Sequence, residues 1–505
     1  MRQKIGLILG IPLFILILYL PTPAGLSNEG HKVGAVAFLM AFWWITEAIP
    51  IPATALIPLV AYPLFGIMKA KDVSTSYGHH YIFLFMGGFF LARAMQKWNL
   101  HERIALYIIR VVGVSARRII LGLMIASAFL SMWISDTATT MMMMPIGLAI
   151  ILHTRKMLEN KGEITKGMLS NFSSAMMLGI AYASLIGGIA TLVGTPPNIV
   201  FASQIRTLFP GSPEIGFFQW MMVGLPLTIF FLPLTWYYLT HIAIPVKMGE
   251  IPGGKSIIDD QIKALGSMGK GERYTLIIFI LTALGWVFRK NIEIGNFVIP
   301  GWSNLLGLER YVHDSTVAIL AAILLFIIPV NLKQKEFVLD WEWARGIAWG
   351  ILILFGGGIA LASGVQKTGL AQWIGGLLSA IKGVPVIIMI LSVCLMITFL
   401  TEITSNTAVA TIFMPILGAT AIAIHADPIL FMVPAAISAS CAFMLPVATP
   451  PNAIVFGSGY LTVPTMAKTG FVLNLIGAFL ITSLIYLLAV PIFGITLSGL
   501  PPWAR

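Results

Sequence analysis

The chain has 505 residues, of which 58% are hydrophobic and only 10% are charged, and its mean hydropathy is +0.92. Soluble domains carry about 25% charged residues, so this composition excludes an ordinary soluble protein. It predicts an all-α polytopic membrane protein. The net charge of +11 would indicate nucleic acid in a soluble protein, but in a membrane chain it reflects basic cytoplasmic loops. We expect membrane lipid around the chain and no nucleic acid.

The first apolar run, residues 5–20, follows two basic residues, Arg2 and Lys4. Such a segment could be a cleaved signal peptide. The residues after it make a poor cleavage site, which favours a signal anchor that is retained as the first span. The basic residues before the run place the N-terminus in the cytoplasm. Residues 1–32 are assigned to this span and an external loop.

Ten further apolar stretches predict membrane spans. They lie near residues 33–49, 51–66, 80–97, 171–209, 216–240, 273–288, 315–330, 347–366, 428–456 and 471–495. With the first span this makes eleven, and an odd number places the C-terminus outside. Segments 100–113 and 370–381 occupy equivalent positions in the two halves and are predicted to be interfacial helices.

Two more apolar stretches, 117–153 and 384–426, are each interrupted by a short polar motif. The first motif is Ser-Asp-Thr-Ala at 135–138, and the second is Ser-Asn-Thr-Ala at 405–408, 270 positions later. Each stretch could form two spans or one re-entrant hairpin. A hairpin is allowed where its irregular backbone is buried in protein or lines a wet cavity.

Charged flanks favour two hairpins that enter from opposite sides. Basic residues flank the first stretch on both sides, whereas the second is flanked by little charge, Lys382 and Asp427. Lysine and arginine accumulate in the cytoplasm, so the first hairpin is expected to enter from there and the second from outside. The halves would then form an inverted repeat, residues 33–245 and 273–505, joined by a loop at 246–272.

A second motif recurs in the spans that follow the hairpins. Thr-Pro-Pro-Asn at 195–198 interrupts the span at 171–209, and the same four residues at 449–452 interrupt the span at 428–456. Proline removes an amide hydrogen and frees a carbonyl, and Asn198 or Asn452 is expected to cap the restarting helix. Breaks at corresponding positions of two halves are the best sequence indication of a transport site.

These breaks have a clear chemistry. A helix end leaves free carbonyls, which suit a cation, and a helix start leaves free amide hydrogens, which suit an anion. A lone Ser-x-Thr is usually bonded back to its own helix, and a lone Pro-Pro is usually a kink. The paired recurrence of both motifs favours a binding site over these structural explanations.

Other candidates have weaker support. His79-His80 begins a span and is expected to be interfacial, and Met141 to Met144 is expected to be helix packing. Glu47 is either a functional residue or lies at a membrane boundary. Glu402 is the stronger candidate for a functional residue because it belongs to a hairpin arm. The chain contains no sequence motif of a metalloprotease, serine hydrolase or phosphate loop, which argues against an enzyme.

The chain resembles the divalent anion/sodium symporter family over nearly its whole length. The resemblance rests on both hairpin motifs, on both Thr-Pro-Pro-Asn breaks and on Trp-Trp-Ile-Thr-Glu-Ala-Ile-Pro at 43–50. That family carries dicarboxylates, citrate or sulfate. The resemblance implies eleven spans, two opposed re-entrant hairpins, a homodimer and elevator-type movement of a transport domain. It also implies a location in the plasma (inner) membrane.

The resemblance further implies a set of ligands. One sodium ion is expected at Ser131, Ser135, Asp136 and the backbone near Gly194, and the other at Thr401, Thr404, Asn406 and the backbone near Ala448. The substrate carboxylates are expected at Asp136, Thr137, Thr195, Asn406, Thr407, Thr449 and Pro450.

Asp136 departs from the family pattern, which has asparagine in the first hairpin motif. An ionised aspartate only accepts hydrogen bonds, so it would attract sodium but repel a carboxylate by roughly 4 kcal/mol at about 4 Å. Three explanations are open. Asp136 faces the cation, or it is protonated, or the substrate is not the usual dianion.

The leading hypothesis is sodium-coupled symport of a small di- or tricarboxylate. A sodium-independent anion exchanger is the nearest alternative. A membrane-embedded enzyme would need a nucleophile–base pair or metal ligands in the spans, and no histidine is convincingly paired with Ser135 or Ser405. An anion channel is disfavoured because inverted repeats with hairpins are typical of alternating access.

Overall fold

The computed structural model describes residues 2–113, 115–161, 166–251, 254–294, 297–377, 384–497 and 499–504. Within these ranges the chain is mainly helical. Strands occur only as two short antiparallel pairs in connecting segments: β1 (Ile292–Ile294) with β2 (Phe297–Ile299), and β3 (Pro329–Asn331) with β4 (Glu336–Phe337). The prediction of an all-α polytopic fold is therefore confirmed.

The first half contains fourteen helices in the described ranges. They are α1 (Arg2–Tyr19), α2 (Asn28–Thr46), α3 (Ile51–Thr54), α4 (Ile57–Leu64), α5 (Ala70–Thr75), α6 (His80–Lys97), α7 (Leu100–Val112), α8 (Ala116–Ser131), α9 (Asp136–Lys161), α10 (Lys166–Gly188), α11 (Pro196–Leu208), α12 (Phe217–Tyr237), α13 (Gly254–Ala264) and α14 (Lys270–Val287).

The second half follows the same order of long and interrupted helices. Its described helices are α15 (Trp302–Leu305), α16 (Asp314–Ile327), α17 (Trp341–Ala344), α18 (Trp349–Lys367), α19 (Leu370–Leu377), α20 (Val386–Thr401), α21 (Asn406–Ala423), α22 (Ile429–Ala439), α23 (Pro450–Phe456), α24 (Val463–Leu484) and α25 (Val490–Phe493).

Seven helices among the described residues are long and apolar enough to cross a membrane, judged by length and composition. They are Arg2–Tyr19, Asp136–Glu159, Gly167–Gly188, Phe217–Ala243, Trp349–Lys367, Asn406–Ala423 and Val463–Phe493. Shorter apolar helices supplement them at Ile51–Leu64, Asp314–Ile327, Val386–Thr401 and Ile429–Ala439. The number eleven stays a prediction. The predicted interfacial segments correspond to α7 and α19, and residues 378–381 of the second lie outside the described residues.

The two polar stretches form helical hairpins whose bases contact different segments of the chain. Helices α8 and α9 form hairpin 1, and α20 and α21 form hairpin 2. Near the end of α12, the Trp236 indole donates to the Arg117 carbonyl at the base of hairpin 1 (3.0 Å). At the base of hairpin 2, Ile422 and Ala423 share a cavity wall with Phe209, which follows the last residue of α11. The two bases therefore lie against different segments of the chain.

Buried apolar side chains form two clusters. The larger cluster contains residues from the hairpins, from the interrupted helices and from α6, α12, α14, α16 and α24. The smaller cluster is formed mainly by α2, α4, α18 and α19. Helix α1 packs on the α2 side of the smaller cluster, whereas most of its large apolar residues are exposed. Such an apolar outer face fits contact with lipid.

Two glycines allow α1 to lie close against α2. A Cβ atom at Gly6 would come within 2.8 Å of two Thr46 side-chain atoms, and one at Gly10 would come within 2.1 Å of the Trp43 indole nitrogen. The same indole donates a hydrogen bond to the carbonyl of Gly6 (3.0 Å). The close approach therefore fixes the position of α1 along α2.

Candidate functional site

The tips of both hairpins and the breaks of both interrupted helices meet at one cavity of about 680 Å³. Its wall includes all the residues predicted from sequence to bind substrate: Asp136, Thr137, Thr195, Asn406, Thr407, Thr449 and Pro450. These positions come from four separate segments of the chain. The structure thus brings together the predicted substrate ligands, although their binding role stays a prediction.

At the tip of hairpin 1, Asp136 is the first residue of α9. Its Oδ1 atom accepts hydrogen bonds from the Thr137 amide (2.6 Å) and the Thr137 hydroxyl (3.2 Å). The Ser135 hydroxyl lies 3.4 Å from the Ala138 amide, which donates to it. A carboxylate is favoured at a helix start because it opposes the positive end of the helix dipole. Asp136 is therefore held by its own helix while it faces the cavity.

The other residues of the first predicted sodium site lie behind this tip. Ser131 is buried and donates to the carbonyl of Ser184 (2.6 Å). A Cβ atom at Gly194 would lie 2.9 Å from the Ser131 carbonyl oxygen. Only a glycine allows the break before α11 to approach the end of α8 this closely. The carbonyls of Ser131, at the end of α8, and of Gly188, at the end of α10, thus both lie close to Gly194.

The tip of hairpin 2 has a similar arrangement. The Thr401 hydroxyl lies 2.5 Å from Oδ1 of Asn406 and 3.1 Å from the Ala439 carbonyl. Thr404 donates to the carbonyl of Leu400 (3.0 Å). Thr404 and Asn406 line the cavity together with Ala448, whereas Thr401 is buried behind them. Hairpin 2 and the second break therefore share a wall of the cavity, and the second sodium site stays a prediction.

The asparagines of the two breaks have a different role from the predicted helix caps. Nδ2 of Asn198 donates to the carbonyls of Gly188 (3.1 Å) and Thr191 (2.7 Å). Nδ2 of Asn452 donates to the carbonyls of Ala442 (2.9 Å) and Leu445 (3.1 Å). Both side chains satisfy carbonyls at the end of the preceding helix or in the break that follows it. The prediction that they cap the restarting helix was wrong.

The helix cap in the second break is Thr449. Its hydroxyl accepts a hydrogen bond from the amide of Asn452 (3.3 Å). In the first break, Thr195 occupies the same position without a side-chain cap bond. Its hydroxyl lies 3.4 Å from that of Ser440, so the two breaks also contact each other.

Glu402 is fully engaged inside the protein. Its carboxylate accepts hydrogen bonds from the amides of Met444 (2.9 Å) and Leu445 (3.1 Å) and from Nδ2 of Asn474 (2.7 Å). Only 3% of the residue is exposed. Glu402 therefore ties the tip of hairpin 2 to the second break and to α24, and it does not line the cavity.

Glu47 lines the cavity. It ends α2 in a left-handed conformation (φ 50°), which is uncommon for a residue other than glycine. Its carboxylate pairs with Arg2 at 2.6 Å. Of the two roles open for Glu47, the structure favours the functional one, since the side chain is at the cavity wall.

The methionine run in α9 packs as expected. Met143 is fully buried, and Met142 and Met144 contact the larger cluster. Met141 is 59% exposed. The run is helix packing with one outward position.

His79 and His80 belong to a larger cluster that sequence analysis did not find. Their rings stack with centroids 4.2 Å apart, and His80 meets His313 edge-on at 4.2 Å. Beside them, Glu214 pairs with Arg289 at 2.7 Å and with Lys290 at 2.6 Å. Asp314 lies 2.5 Å from Arg289 as well. The sequence could not reveal this cluster because its members come from four separate connections.

Carboxylate and histidine atoms of Glu214, His313 and Asp314 lie within 4.8 Å of one another. A metal would nevertheless have to displace Arg289 and Lys290, which already neutralise the two carboxylates. Burial, and then the neighbouring cations, lower the pKa of His313 to about 3. Burial opposes the charged form of Glu214, but Arg289 and Lys290 outweigh it and lower its pKa to about 2. The cluster is therefore an ion-pair network with neutral histidines.

A helical membrane chain with two hairpin tips and two interrupted helices around a polar cavity has the architecture of a secondary transporter. The family model described as the sodium:sulfate symporter transmembrane region matches residues 2–496. The chain belongs to this family. Membership confirms both the family resemblance in the sequence and the prediction of a transporter, not an enzyme.

Two curated relatives share nearly the full length. The sodium-dependent dicarboxylate transporter SdcS of Staphylococcus saprophyticus is 45% identical over 497 residues, 98% of this chain and 93% of the relative. SdcS of Staphylococcus aureus is 44% identical with the same coverage. Among solved structures, MtrF of Neisseria gonorrhoeae, described as one of a class of antimetabolite efflux pumps, has a TM-score of 0.58 at 11% identity. The match covers 99% of this chain and 96% of the MtrF chain. At this identity it shows a likeness of fold alone.

Proposed function

We propose that the protein is a sodium-coupled symporter of small dicarboxylates. The observation that carries this proposal is the single cavity at which both hairpin tips and both helix breaks meet. The names of the two staphylococcal relatives, both sodium-dependent dicarboxylate transporters, support the ion and the substrate class. A substrate with two carboxylates also fits a site that is built twice, once from each half.

The substrate side of the cavity is rich in donors. Helices α9, α11 and α21 all begin at its wall, so the positive ends of three helix dipoles face the bound anion. The hydroxyls of Thr137 and Thr407 and the amide of Asn406 add side-chain donors. In this arrangement each carboxylate of the substrate binds to one hairpin tip and the break opposite it.

Two sodium ions bind at the helix ends, one beside each hairpin. The carbonyl ends of α8 and α20 suit cations, and half-helix ends with unwound carbonyls coordinate sodium in other transporters. Asp136 contributes to the first site and turns its charge towards the cation, which removes the conflict with a dianionic substrate. Asn406 contributes to the second site and to the substrate at once.

The two halves form an inverted repeat, and the protein works as an elevator within a homodimer. The matched order of hairpins and helix breaks in the two halves supports the inverted repeat. The N-terminus is cytoplasmic and the C-terminus is outside. Cysteines introduced at Arg118 and Arg155 are expected to react only with reagents added on the cytoplasmic side, and one at Asp427 only from outside. Lys382, the other external flank, lies outside the described residues.

Uptake into proteoliposomes tests the function directly. Labelled succinate should accumulate when an inward sodium gradient is applied, and unlabelled succinate, malate, citrate and sulfate should be compared as competitors. Counterflow, which needs a carrier, separates transport from passage through a channel. Equal accumulation without sodium would favour the alternative of a sodium-independent exchanger, and stronger competition by sulfate would exclude dicarboxylates as the main substrate.

A further inference from the structure

Arg2 connects three parts of the molecule at the wall of the cavity. Its guanidinium donates to Glu47 at the end of α2 (2.6 Å) and to the backbone carbonyl of Ile403 at the tip of hairpin 2 (3.1 Å). Among the described residues that line the cavity, Arg2 is the one basic side chain. It therefore joins the helices of the smaller apolar cluster to the hairpin that carries the second predicted sodium site.

The position of Arg2 is determined by packing. Gly6 and Gly10 seat α1 against Thr46 and Trp43 of α2, so the first turn of α1 is held beside the end of α2. The left-handed conformation of Glu47 belongs to the same arrangement. A helix with a mostly exposed outer face is thereby aligned so that its first turn reaches the hairpin tip.

The tip of hairpin 2 is held from two sides. On the inner side, Glu402 binds the amides of Met444 and Leu445. On the cavity side, Arg2 binds the carbonyl of the next residue, Ile403. Thr404, which follows, lines the cavity as a predicted sodium ligand. Ligand positions within a tip depend on such supporting contacts, since small misplacements weaken binding strongly.

The Arg2–Glu47 pair contributes little as a surface ion pair. The two side chains are 50% and 41% exposed, and exposed pairs stabilise proteins only weakly. The contact of Arg2 with the carbonyl of Ile403, two residues past the end of α20, is therefore the more informative feature. A cation is favoured at the carbonyl end of a helix. Here the guanidinium of Arg2 is a fixed cation next to the position proposed for the mobile sodium ion.

We propose that Arg2, oriented by Glu47, is a positioning residue for sodium binding by hairpin 2. The guanidinium holds the carbonyl of Ile403 and thereby keeps Thr404 and Asn406 in the geometry that sodium needs. This inference rests on the proposed sodium coupling. It adds a residue that is distant in sequence from the ligands expected from the family, although it lines the same cavity.

The test removes the pair without changing net charge. Purified Arg2→Ala/Glu47→Ala protein is compared with wild type in detergent, without dicarboxylate, as sodium replaces potassium at constant ionic strength. The sodium concentration that gives half-maximal thermal stabilisation should rise about fivefold or more, as expected for loss of one charge-assisted hydrogen bond. In proteoliposomes the same shift should appear in the sodium dependence of uptake, with maximal rate at saturating sodium within about twofold of wild type.

A matched control separates positioning from general effects of charge. Lys4 and Glu29 are exposed residues of the same two helices, and Lys4→Ala/Glu29→Ala should leave the sodium curve unchanged. Arg2→Lys should give an intermediate shift because a compact ammonium does not reproduce the fork of a guanidinium. It also serves as the test should the double variant not fold.

Three results would overturn the inference. The first is a sodium curve of the Arg2→Ala/Glu47→Ala and Arg2→Lys variants that coincides with that of wild type. The second is an equal shift in the Lys4→Ala/Glu29→Ala control. The third is a change confined to the KM for dicarboxylate, which would make Arg2 a direct substrate ligand. If sodium does not stabilise the wild-type protein, the proposed sodium coupling is contradicted as well. If uptake is driven by sodium but the variant has the same sodium dependence as wild type, only the role of Arg2 is contradicted.

Discussion

Hairpins 1 and 2 each contain one acidic residue near the tip, but at positions that do not correspond. Asp136 matches Asn406 in the second hairpin, and Glu402 matches Met132 in the first. Asp136 starts a helix and faces the cavity, whereas Glu402 follows the end of α20 and faces the protein interior. Two hairpins with the same order of helices can therefore place a carboxylate at the cavity in one and use it as an internal anchor in the other.

The surroundings explain this division. The start of α9 favours a negative charge, so Asp136 needs only local hydrogen bonds and retains an open face. The end of α20 disfavours a negative charge, and Glu402 is stabilised there by three donors from other segments. A buried carboxylate without such donors would be costly. A carboxylate at a helix start needs few other donors, so its oxygens remain available to a ligand. A carboxylate at a helix end needs donors from other segments, which occupy its oxygens.

The largest expected effect tests whether hairpin 2 binds ligands as proposed. Asn406→Ala and Thr407→Ala should each abolish measurable transport without unfolding the protein, because both residues contact the cavity and lost ligand hydrogen bonds are not replaced. Uptake and gel-filtration profiles of the purified variants provide the measurement. Normal uptake by either folded variant would assign ligand binding to hairpin 1 alone.

The next effect concerns the anchoring acid. Glu402→Ala leaves unpaired the buried amide of Asn474 and two partly buried backbone amides, which should lower the free energy of unfolding by about 3 kcal/mol. Met132→Ala, at the equivalent position of hairpin 1, removes only apolar contacts of a partly buried side chain and should cost about 1 kcal/mol. Thermal unfolding in detergent compares the two. Equal losses in the two variants would contradict an anchoring role that is specific to hairpin 2.

A smaller effect is expected at the acid that faces the cavity. Asp136→Asn restores the amide found in hairpin 2, and the apparent affinity for sodium should fall about three- to tenfold as a full negative charge next to the ion is lost. The substrate KM measured at saturating sodium should change less. Sodium titrations of uptake in the two proteins, at several pH values between 5 and 8, give the comparison. Superimposable curves would mean that Asp136 touches neither ion nor substrate.

The sequence predicted the parts of the fold that repeat. Two motifs at matched positions were sufficient to predict both hairpins and both interrupted helices, and the predicted substrate ligands line one cavity. It did not reveal Arg2 at the cavity, because the contact depends on how α1 lies along α2 rather than on any motif. The same holds for Asn474 and for the backbone amides that bind Glu402. Contacts between distant segments leave no spacing in the chain that can be recognised.

The histidines beside the ion pair of Glu214 and Arg289 make the free energy of unfolding depend on pH. His313, whose pKa is lowered to about 3, and His79, whose pKa burial and nearby cations lower to about 4, resist protonation in the folded protein. In the unfolded chain both would take up a proton below about pH 6.5. Stability should therefore fall as the pH drops from about 6.5 towards 4, by up to about 1.4 kcal/mol per pH unit for each histidine. Acid should therefore loosen the junction of α6, α12 and α16.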